Sequence, residues 1–186
     1  MKIVSGYLKG KKLNFVKSET TRPLRSFVKE NIFNIIQHSN LIKTKTEKAK
    51  ILDLYCGIGS FGIESISREA KSVTFVDIDK KAISILNNNI KKLSIENKVN
   101  VYDQGVENFI KKEKDDEKFD IIFLDPPYKD IEYTKHLKKI KNLGIFKPNH
   151  VLIIHREIDS EDHLNDLINI KIIKKYGRSK IIFGNF

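Results

Sequence analysis

The stretch FDIIFLDPPYKD at residues 119–130 ends an apolar, strand-like run with an acid, two prolines and an aromatic ring. The carboxylate of Asp125 and the backbone carbonyl of Pro126 are hydrogen-bond acceptors, and the pair Pro126-Pro127 restricts the backbone that carries them. The ring of Tyr128 offers a flat face for stacking. These residues predict a site that orients the two N–H groups of a planar amine and stacks on the ring bearing it.

An exocyclic amine on a nucleobase is a poor nucleophile because its lone pair is delocalised into the ring. Acceptors on both N–H groups localise that lone pair, and rigid acceptors are in place before the substrate arrives. A purely structural interpretation is also open, since Asp125 can cap a following helix, the prolines can end a strand and Tyr128 can pack internally. A cofactor site at the same sheet edge would favour the catalytic interpretation.

A glycine-rich turn in DLYCGIGSFGIES (53–65) supplies that second site. Gly57, Gly59 and Gly62 follow one strand-like run, and Asp77 ends the next, 20 residues after Gly57. Glycines let the backbone turn tightly and approach a ligand, and an acid at this offset can bind ribose hydroxyls. The pattern predicts a nucleotide-containing cofactor, although a plain strand-to-helix turn would also use glycine.

Asp53 distinguishes between two cofactors that such a turn can hold. A dinucleotide would place its pyrophosphate on the helix N-terminus, and a carboxylate four residues before Gly57 would repel it. S-adenosylmethionine lacks phosphate and carries a sulfonium and an ammonium, which a carboxylate attracts. The sequence therefore favours S-adenosylmethionine and methyl transfer to an amine.

Length and composition limit the alternatives. A chain of 186 residues with 40% hydrophobic residues is typical of one globular domain, and no apolar stretch approaches the roughly 20 residues of a membrane span. The N-terminal residues lack a secretion signal, so we expect a cytoplasmic protein. Cys56 is the single cysteine, which excludes an intrachain disulfide and a cysteine zinc site. At the cofactor turn it is not expected to be a nucleophile, which argues against methylation of a pyrimidine C5.

The net charge of +11 is concentrated in the first quarter of the chain. Residues 1–50 contain ten lysines and two arginines against three glutamates, a net charge of +9, whereas the remaining 136 residues carry only +2. A generally lysine-rich surface would distribute this charge evenly. The concentration predicts that the N-terminal segment faces nucleic acid.

Hydrophobic periodicity predicts an α/β fold with a mostly parallel, Rossmann-like sheet covered on both faces. A hairpin is predicted over 2–15, and the last two strands form an antiparallel hairpin. Ligands are expected beyond the carboxyl ends of the strands. The predicted strands are 51–55, 72–77, 98–103, 119–124, 150–156, 170–176 and 180–186, and the predicted helices are 20–36, 59–69, 79–93, 106–113, 131–142 and 160–167.

Over nearly its full length the chain resembles the bacterial small-subunit ribosomal RNA guanine-N2 methyltransferase family. The resemblance implies a seven-stranded sheet, S-adenosylmethionine as methyl donor with S-adenosylhomocysteine as product, and a guanine N2 in 16S ribosomal RNA as acceptor. It also implies that naked RNA or a small-subunit assembly particle is the partner, with no metal, no membrane and a monomeric enzyme. The motifs that carry it are TTRP (20–23), VKENIFNII (28–36), DLYCGIGSFGIES (53–65), VTFVDID (73–79), FLDPPY (123–128) and KKYG (174–177).

The resemblance completes the predicted site and divides the chain into a basic extension, 1–40, and a methyltransferase domain, 41–186. The predicted catalytic residues are Asp125, Pro126, Pro127 and Tyr128. The predicted cofactor-binding residues are Asp53, Tyr55, Cys56, Gly57, Ile58, Gly59, Gly62, Asp77, Ile78, Gly105, Val106 and Asp125. The predicted RNA-binding residues are Lys9, Lys11, Lys12, Arg22, Arg25, Lys29 and Tyr128, although a basic residue near a helix start can instead form an internal ion pair.

Three positions depart from the family pattern. The turn reads CGIG (56–59) instead of an AGSG-like sequence, Gly105 stands where an acid often reads the adenine amine, and His155 stands where an acid is usual. His155 can bind substrate or face solvent, and His136 is expected on the surface. Two other functions remain open: a DNA adenine-N6 methyltransferase, and a non-catalytic RNA-binding assembly factor with the same fold.

Overall fold

The computed structural model describes residues 1–15, 24–112 and 117–186, and these form one α/β sandwich. The helices are α1 (Ser26–His38), α2 (Ser60–Ser67), α3 (Lys80–Leu93), α4 (Val106–Lys112) and α5 (Tyr133–Leu143), with a 3₁₀ turn at Glu96–Lys98. The strands are β1 (Lys50–Leu54), β2 (Ser72–Asp77), β3 (Val99–Asp103), β4 (Phe119–Leu124), β5 (Phe146–Glu157), β6 (Asn169–Tyr176) and β7 (Ser179–Asn185).

Seven strands form one sheet in the order β3-β2-β1-β4-β5-β7-β6. The strands β1 to β5 run parallel to one another, and β7 is antiparallel to both β5 and β6. The chain order reverses between β1 and β4, and a crevice forms at such a switch point beyond the carboxyl ends of the strands. The structure thus confirms the predicted sheet. It places the glycine-rich cofactor turn (55–59) and the DPPY segment (125–128) on either side of this crevice.

Each face of the sheet packs its own hydrophobic cluster. One cluster joins the sheet to α1, α2 and α3, and it includes Phe33, Phe61 and Phe123, whose rings stack in series. The other joins the sheet to α4 and α5 around Phe109 and Leu137. Strands buried on both faces have nearly continuous apolar sequences, as β1 and β4 do.

The described part of the basic extension packs into the first cluster through apolar side chains such as Ile3, Leu8 and Leu13. Its predicted hairpin forms only one isolated bridge, between Lys2 and Lys12. The reason is that several of its N–H groups donate to side chains of α2 instead of a partner strand, with Val4 and Ser5 bonding Glu64 and Leu8 bonding Ser67. The division into two functional segments stays a prediction.

Two element predictions need correction. The helix predicted over 160–167 is absent, and this segment forms turns because the side chain of Asp162 is drawn into hydrogen bonds with the sheet. Helix α1 begins at Ser26, later than predicted, and residues 20–23 lie outside the described residues. Within the described ranges, no helix is long and apolar enough to cross a membrane.

Candidate active site

The predicted cofactor turn joins β1 to α2 through three residues with positive φ. Tyr55, Gly57 and Gly59 have φ of 57°, 54° and 77°, the left-handed region that disfavours residues with a Cβ. A Cβ on Gly57 would point into open space, whereas one on Gly59 would collide with the Leu86 side chain. Gly59 therefore permits close packing, and Gly57 leaves room beside the backbone for a ligand.

Asp77 fixes this turn from the end of β2. Its Oδ2 accepts a hydrogen bond from the Gly57 N–H at 2.7 Å, and its Oδ1 accepts one from the Asp79 N–H at 2.8 Å. A carboxylate has about four acceptor positions, so acceptor capacity remains for ribose hydroxyls. This geometry suits the predicted role of Asp77.

Asp53 lies beneath the turn and is 1% exposed. Its Oδ2 accepts a hydrogen bond from the Gly62 N–H at 3.0 Å, while its buried Oδ1 has no hydrogen-bond partner among the described residues. Burial, and then the nearby Asp125 and Asp77 carboxylates, raise the pKa of Asp53 well above its ordinary value. An acid held in this way is set up to receive a cationic group.

Two more of the predicted cofactor-binding residues, Ile78 and Gly105, also come together. Ile78, directly after β2, is 73% exposed, and its Cδ1 lies 3.6 Å from the point where Gly105 would carry a Cβ. A large exposed apolar side chain beside a residue without a side chain forms a surface suited to a flat ring. Ile58 is half-buried in the turn, whereas the Val106 side chain packs in the core.

The side chains of Tyr55 and Cys56 are held by contacts within the protein. The Tyr55 hydroxyl hydrogen-bonds His136 Nδ1 at 2.7 Å, and the partly buried His136 corrects the expectation of a surface position. The Cys56 thiol is buried in the first hydrophobic cluster, and burial raises its pKa well above the ordinary value. A neutral, buried thiol is a poor nucleophile.

The DPPY segment leaves β4 at the other side of the crevice. Asp125 Oδ1 lies 2.8 Å from His155 Nδ1, and the rings of Tyr128 and His155 meet edge to face with centroids 5.9 Å apart. An ionised carboxylate only accepts hydrogen bonds, so Nδ1 of His155 is the donor. His155 is 6% exposed, which excludes the solvent-facing alternative. The histidine thus orients both the acid and the ring of the segment.

Arg156 supports the same segment from the opposite face of β5. Its Nη1 and Nη2 donate to the carbonyls of Pro127 and Tyr128, both at 3.0 Å, and its Nε donates to Asp162 Oδ1 at 2.7 Å. The guanidinium also lies 4.4 Å from the centroid of the Tyr133 ring. Sequence analysis overlooked this residue, although an arginine at the end of the buried run VLIIHR was a usable signal.

Asp162 anchors the arginine in turn. Burial opposes its ionisation, but hydrogen bonds from Ser160, Tyr133, Lys180 and Arg156 hold its pKa below the ordinary value. The Asp162 carboxylate is therefore the charged centre of a closed network, with Tyr133 Oη at 2.6 Å and Lys180 Nζ at 3.0 Å. This network fixes the backbone of Pro127 and Tyr128 to the rigid sheet.

The predicted RNA-binding residues do not form one group. Lys29 is fully buried in an ion pair of 3.1 Å with Glu64, and burial lowers its pKa, so the prediction that it contacts RNA is wrong. Arg25 is exposed at the start of α1, whereas Arg22 lies outside the described residues. The exposed side chains of Lys9, Lys11 and Lys12 belong to the N-terminal segment, which docks near the far end of α2, away from the crevice.

The crevice fits S-adenosylmethionine on its own chemistry. Besides burial, the carboxylates of Asp125 and Asp77 lie close enough to Asp53 to raise its pKa, and three acids in one crevice favour a cationic ligand and oppose a pyrophosphate. Among the residues that the structure describes, no cluster of His, Cys, Asp and Glu side chains has the arrangement of a metal site.

Comparisons with known proteins identify the family of this chain. The family model described as Conserved hypothetical protein 95 matches residues 1–185. A ribosomal RNA small subunit methyltransferase D from Buchnera aphidicola is 36% identical over 190 residues, which cover 98% of this chain and 88% of that protein.

Solved structures share the fold. A candidate methyltransferase from Escherichia coli superposes with a TM-score of 0.84 at 20% identity, covering 100% of this chain and 97% of that one. A candidate methyltransferase solved with S-adenosylhomocysteine has a TM-score of 0.68 at 13% identity, covering 85% and 49%. The chain therefore belongs to the Conserved hypothetical protein 95 family, the bacterial small-subunit ribosomal RNA methyltransferases that its sequence motifs predicted.

Proposed function

We propose that this protein transfers a methyl group from S-adenosylmethionine to the exocyclic N2 amine of a guanine in 16S ribosomal RNA. The observation that carries the proposal is the position of Asp53 and Asp125 on adjacent strands at one crevice. Leu54 on β1 pairs with Leu124 on β4, and the Asp125 N–H donates to the Leu54 carbonyl at 3.3 Å. The acid that we assign to the cofactor's cation and the acid that we assign to the acceptor amine therefore lie at the ends of neighbouring strands.

The first half of the site holds the cofactor. Asp53 Oδ1 would accept from the ammonium of the methionine moiety, and Asp77 would accept from the ribose hydroxyls. Ile78 and the backbone at Gly105 would cover the adenine, and the turn at Gly57 and Gly59 would pass close beside the methionine moiety. When bound, S-adenosylmethionine supplies a methyl group activated by the sulfonium charge.

The second half orients the acceptor amine. His155 occupies Oδ1 of Asp125 and so leaves Oδ2 to accept one N–H of the guanine amine, while the Pro126 carbonyl accepts the other. Tyr128 would stack on the guanine ring. As the nitrogen–methyl bond forms, the amine nitrogen becomes positively charged and gives up one proton, for which Asp125 is the nearest base. Because transfer also removes the sulfonium charge, positioning contributes more than strong base catalysis.

Small-subunit ribosomal RNA as the substrate is supported by the relative's name and by the charge of the N-terminal quarter. This substrate implies a cytoplasmic location, and naked RNA and an assembling particle are both compatible with it. We propose a monomer, with no metal ion required, because the sulfonium already activates the methyl group. The same DPPY chemistry would serve a DNA adenine-N6 methyltransferase, and an assembly factor could keep the fold without activity.

A methyl-transfer assay separates these functions. Wild-type protein and Asp125→Ala are incubated with labelled S-adenosylmethionine and either 16S ribosomal RNA, immature small subunits or duplex DNA, and the products are digested to nucleosides. We expect N2-methylguanosine from an RNA substrate, and a loss of about 100-fold or more in Asp125→Ala with cofactor affinity largely retained. Methyladenine in DNA, no transfer by the wild type, or full activity of Asp125→Ala would each refute the proposal.

A further inference from the structure

Two aromatic rings, one exposed and one partly buried, meet outside the crevice at the carboxyl edge of the sheet. Phe27, in the first turn of α1, is 66% exposed. Its ring meets that of Tyr176, at the end of β6, edge to face with centroids 6.1 Å apart. A single exposed ring is common on protein surfaces, so the significance of Phe27 rests on its pairing with Tyr176 and on the charges beside the pair.

The geometry of α1 places Phe27 at the same edge as the cofactor turn. The Lys29 ammonium, half a turn further along α1, lies 3.4 Å from the hydroxyl of Ser60, the first residue of α2. One turn later, the Phe33 ring stacks on Phe61. Because α1 and α2 begin side by side, the first turn of α1 lies at the edge of the sheet where the cofactor turn leads into α2.

The sheet register gives the distance from the DPPY segment to β6. His155, the partner of Asp125, pairs with Ile181 on β7, which in turn pairs with Lys174 on β6. Two inter-strand spacings, about 10 Å, separate His155 from Lys174. Tyr176 follows two residues later and so points to the same face, closer to the carboxyl edge. The path from Asp125 to the aromatic pair therefore runs across neighbouring strands of one sheet.

Exposed basic residues flank the aromatic pair. Arg25 precedes Phe27, Lys174 precedes Tyr176 on the same face, and both side chains are exposed. No acidic residue lies in the first turn of α1. Arg178, in the β6–β7 turn, is already 3.8 Å from Glu157 and contributes less free charge. Cations beside exposed rings are the combination that binds single-stranded nucleic acid.

We propose that Phe27, Tyr176, Arg25 and Lys174 form a platform for the single-stranded RNA that flanks the target guanine. A neighbouring base stacks on the Phe27–Tyr176 pair, and Arg25 and Lys174 contact the phosphates between that base and the crevice. Single-stranded RNA is the partner because stacking on these rings requires unpaired bases, and the platform is continuous with the strand ends carrying Asp125. This inference rests on the proposed function.

The test compares ring-removing and ring-retaining variants. We measure KM for a 16S ribosomal RNA substrate, KM for S-adenosylmethionine and kcat in Phe27→Leu, Phe27→Tyr and the control Tyr7→Leu. Tyr7 is 54% exposed but docks beside Ser67 at the far end of α2. We expect KM for RNA to rise about tenfold in Phe27→Leu, with kcat and the cofactor KM unchanged, wild-type behaviour in Phe27→Tyr and no effect in Tyr7→Leu. An unchanged KM for RNA in Phe27→Leu would overturn the platform.

A measurement of RNA binding without methyl transfer distinguishes failure of the platform from failure of the proposed function. In Lys174→Gln, the slope of log affinity for RNA against log salt concentration should decrease by about one, whereas Phe27→Leu should weaken binding without changing the slope. If the wild type binds RNA in this Phe27-dependent way but transfers no methyl group, the proposed function fails and the platform stands. If it methylates RNA and both variants bind like the wild type, the platform fails and the function stands.

Discussion

Two buried carboxylates on either side of the cofactor turn differ in how completely they are paired. Glu64, on α2, is fully buried and accepts from the Lys29 ammonium, the Arg68 guanidinium and the N–H groups of Val4 and Ser5, at distances of 2.9–3.1 Å. Asp53, on β1, is equally buried, but the described part of the chain gives it one donor and leaves Oδ1 without any.

The comparison separates two uses of a buried charge. A carboxylate surrounded by donors holds structural elements together, and here Glu64 joins α1, α2 and the N-terminal segment. A carboxylate with an unpaired oxygen lowers the stability of the free protein and is explained by a ligand that completes it. By this criterion we predict that Asp53 is functional, whereas Lys29, predicted from the sequence to bind RNA, is structural.

The largest effect should come from removing the charge of Glu64, the fully paired carboxylate. Glu64→Gln leaves the Lys29 ammonium buried without a counter-charge, and we expect the free energy of unfolding to fall by about 3–5 kcal/mol in urea titrations. The control is Glu47→Gln, which removes an exposed ion pair with Lys48 and should leave stability unchanged. Equal stability of the two variants would show that the Glu64 network is not structural.

Asp53→Asn should change stability in the opposite direction. The free variant should melt at a higher temperature, because a buried acid with a raised pKa is replaced by a neutral amide. Its affinity for S-adenosylmethionine should fall by roughly 10- to 150-fold, the loss of a charge-assisted hydrogen bond of about 1.5–3 kcal/mol. Calorimetric titration measures the affinity, and tight binding by the variant would contradict the assignment.

The pH dependence of cofactor binding follows from the same pKa. In the free protein the Asp53 pKa is raised, and pairing with an ammonium must lower it, so binding releases a proton. Affinity should therefore be highest above the pKa of the free protein and fall as the pH drops through it. Titrations over a pH series should show this decline for the wild type, and a flat profile for Asp53→Asn over the same range.

Arg156→Lys tests whether the hydrogen-bond network of Arg156 and Asp162 positions the catalytic segment. A lysine cannot donate to Pro127, Tyr128 and Asp162 together, so we expect kcat to fall about tenfold, the effect of a small misplacement of Asp125, with an unchanged cofactor KM. Asp162→Asn is the control, since it weakens the network but retains the guanidinium on both carbonyls. A wild-type kcat in Arg156→Lys would leave the network purely structural.

The smallest effect should come from removing the thiol of Cys56, which lies in the chain between Asp53 and Glu64. Cys56 packs in the hydrophobic cluster and its pKa is raised, so Cys56→Ala should reduce stability slightly and leave the methylation rate unchanged. Loss of activity in a folded Cys56→Ala protein would point to a cysteine nucleophile and to a different acceptor atom.

Sequence patterns were sufficient for the sheet and for the residues at its carboxyl edge, because buried parallel strands are apolar runs and glycines mark the turn. They failed where side chains reach across the fold. Lys29 and Glu64 are 35 residues apart in the chain, Tyr133 lies 29 residues from its partner Asp162, and no local pattern records such partners. Arg156 differs from these residues, because an arginine at the end of the buried run VLIIHR was a usable local signal that was overlooked.

The most direct test is to map N2-methylguanosine in 16S ribosomal RNA from a strain lacking this protein. The account predicts that one guanine loses its N2 methyl group, that the wild-type gene restores it, and that Asp125→Ala and Asp53→Asn do not. An unchanged set of methylated guanines in the deletion strain, or restoration by Asp125→Ala, would contradict it.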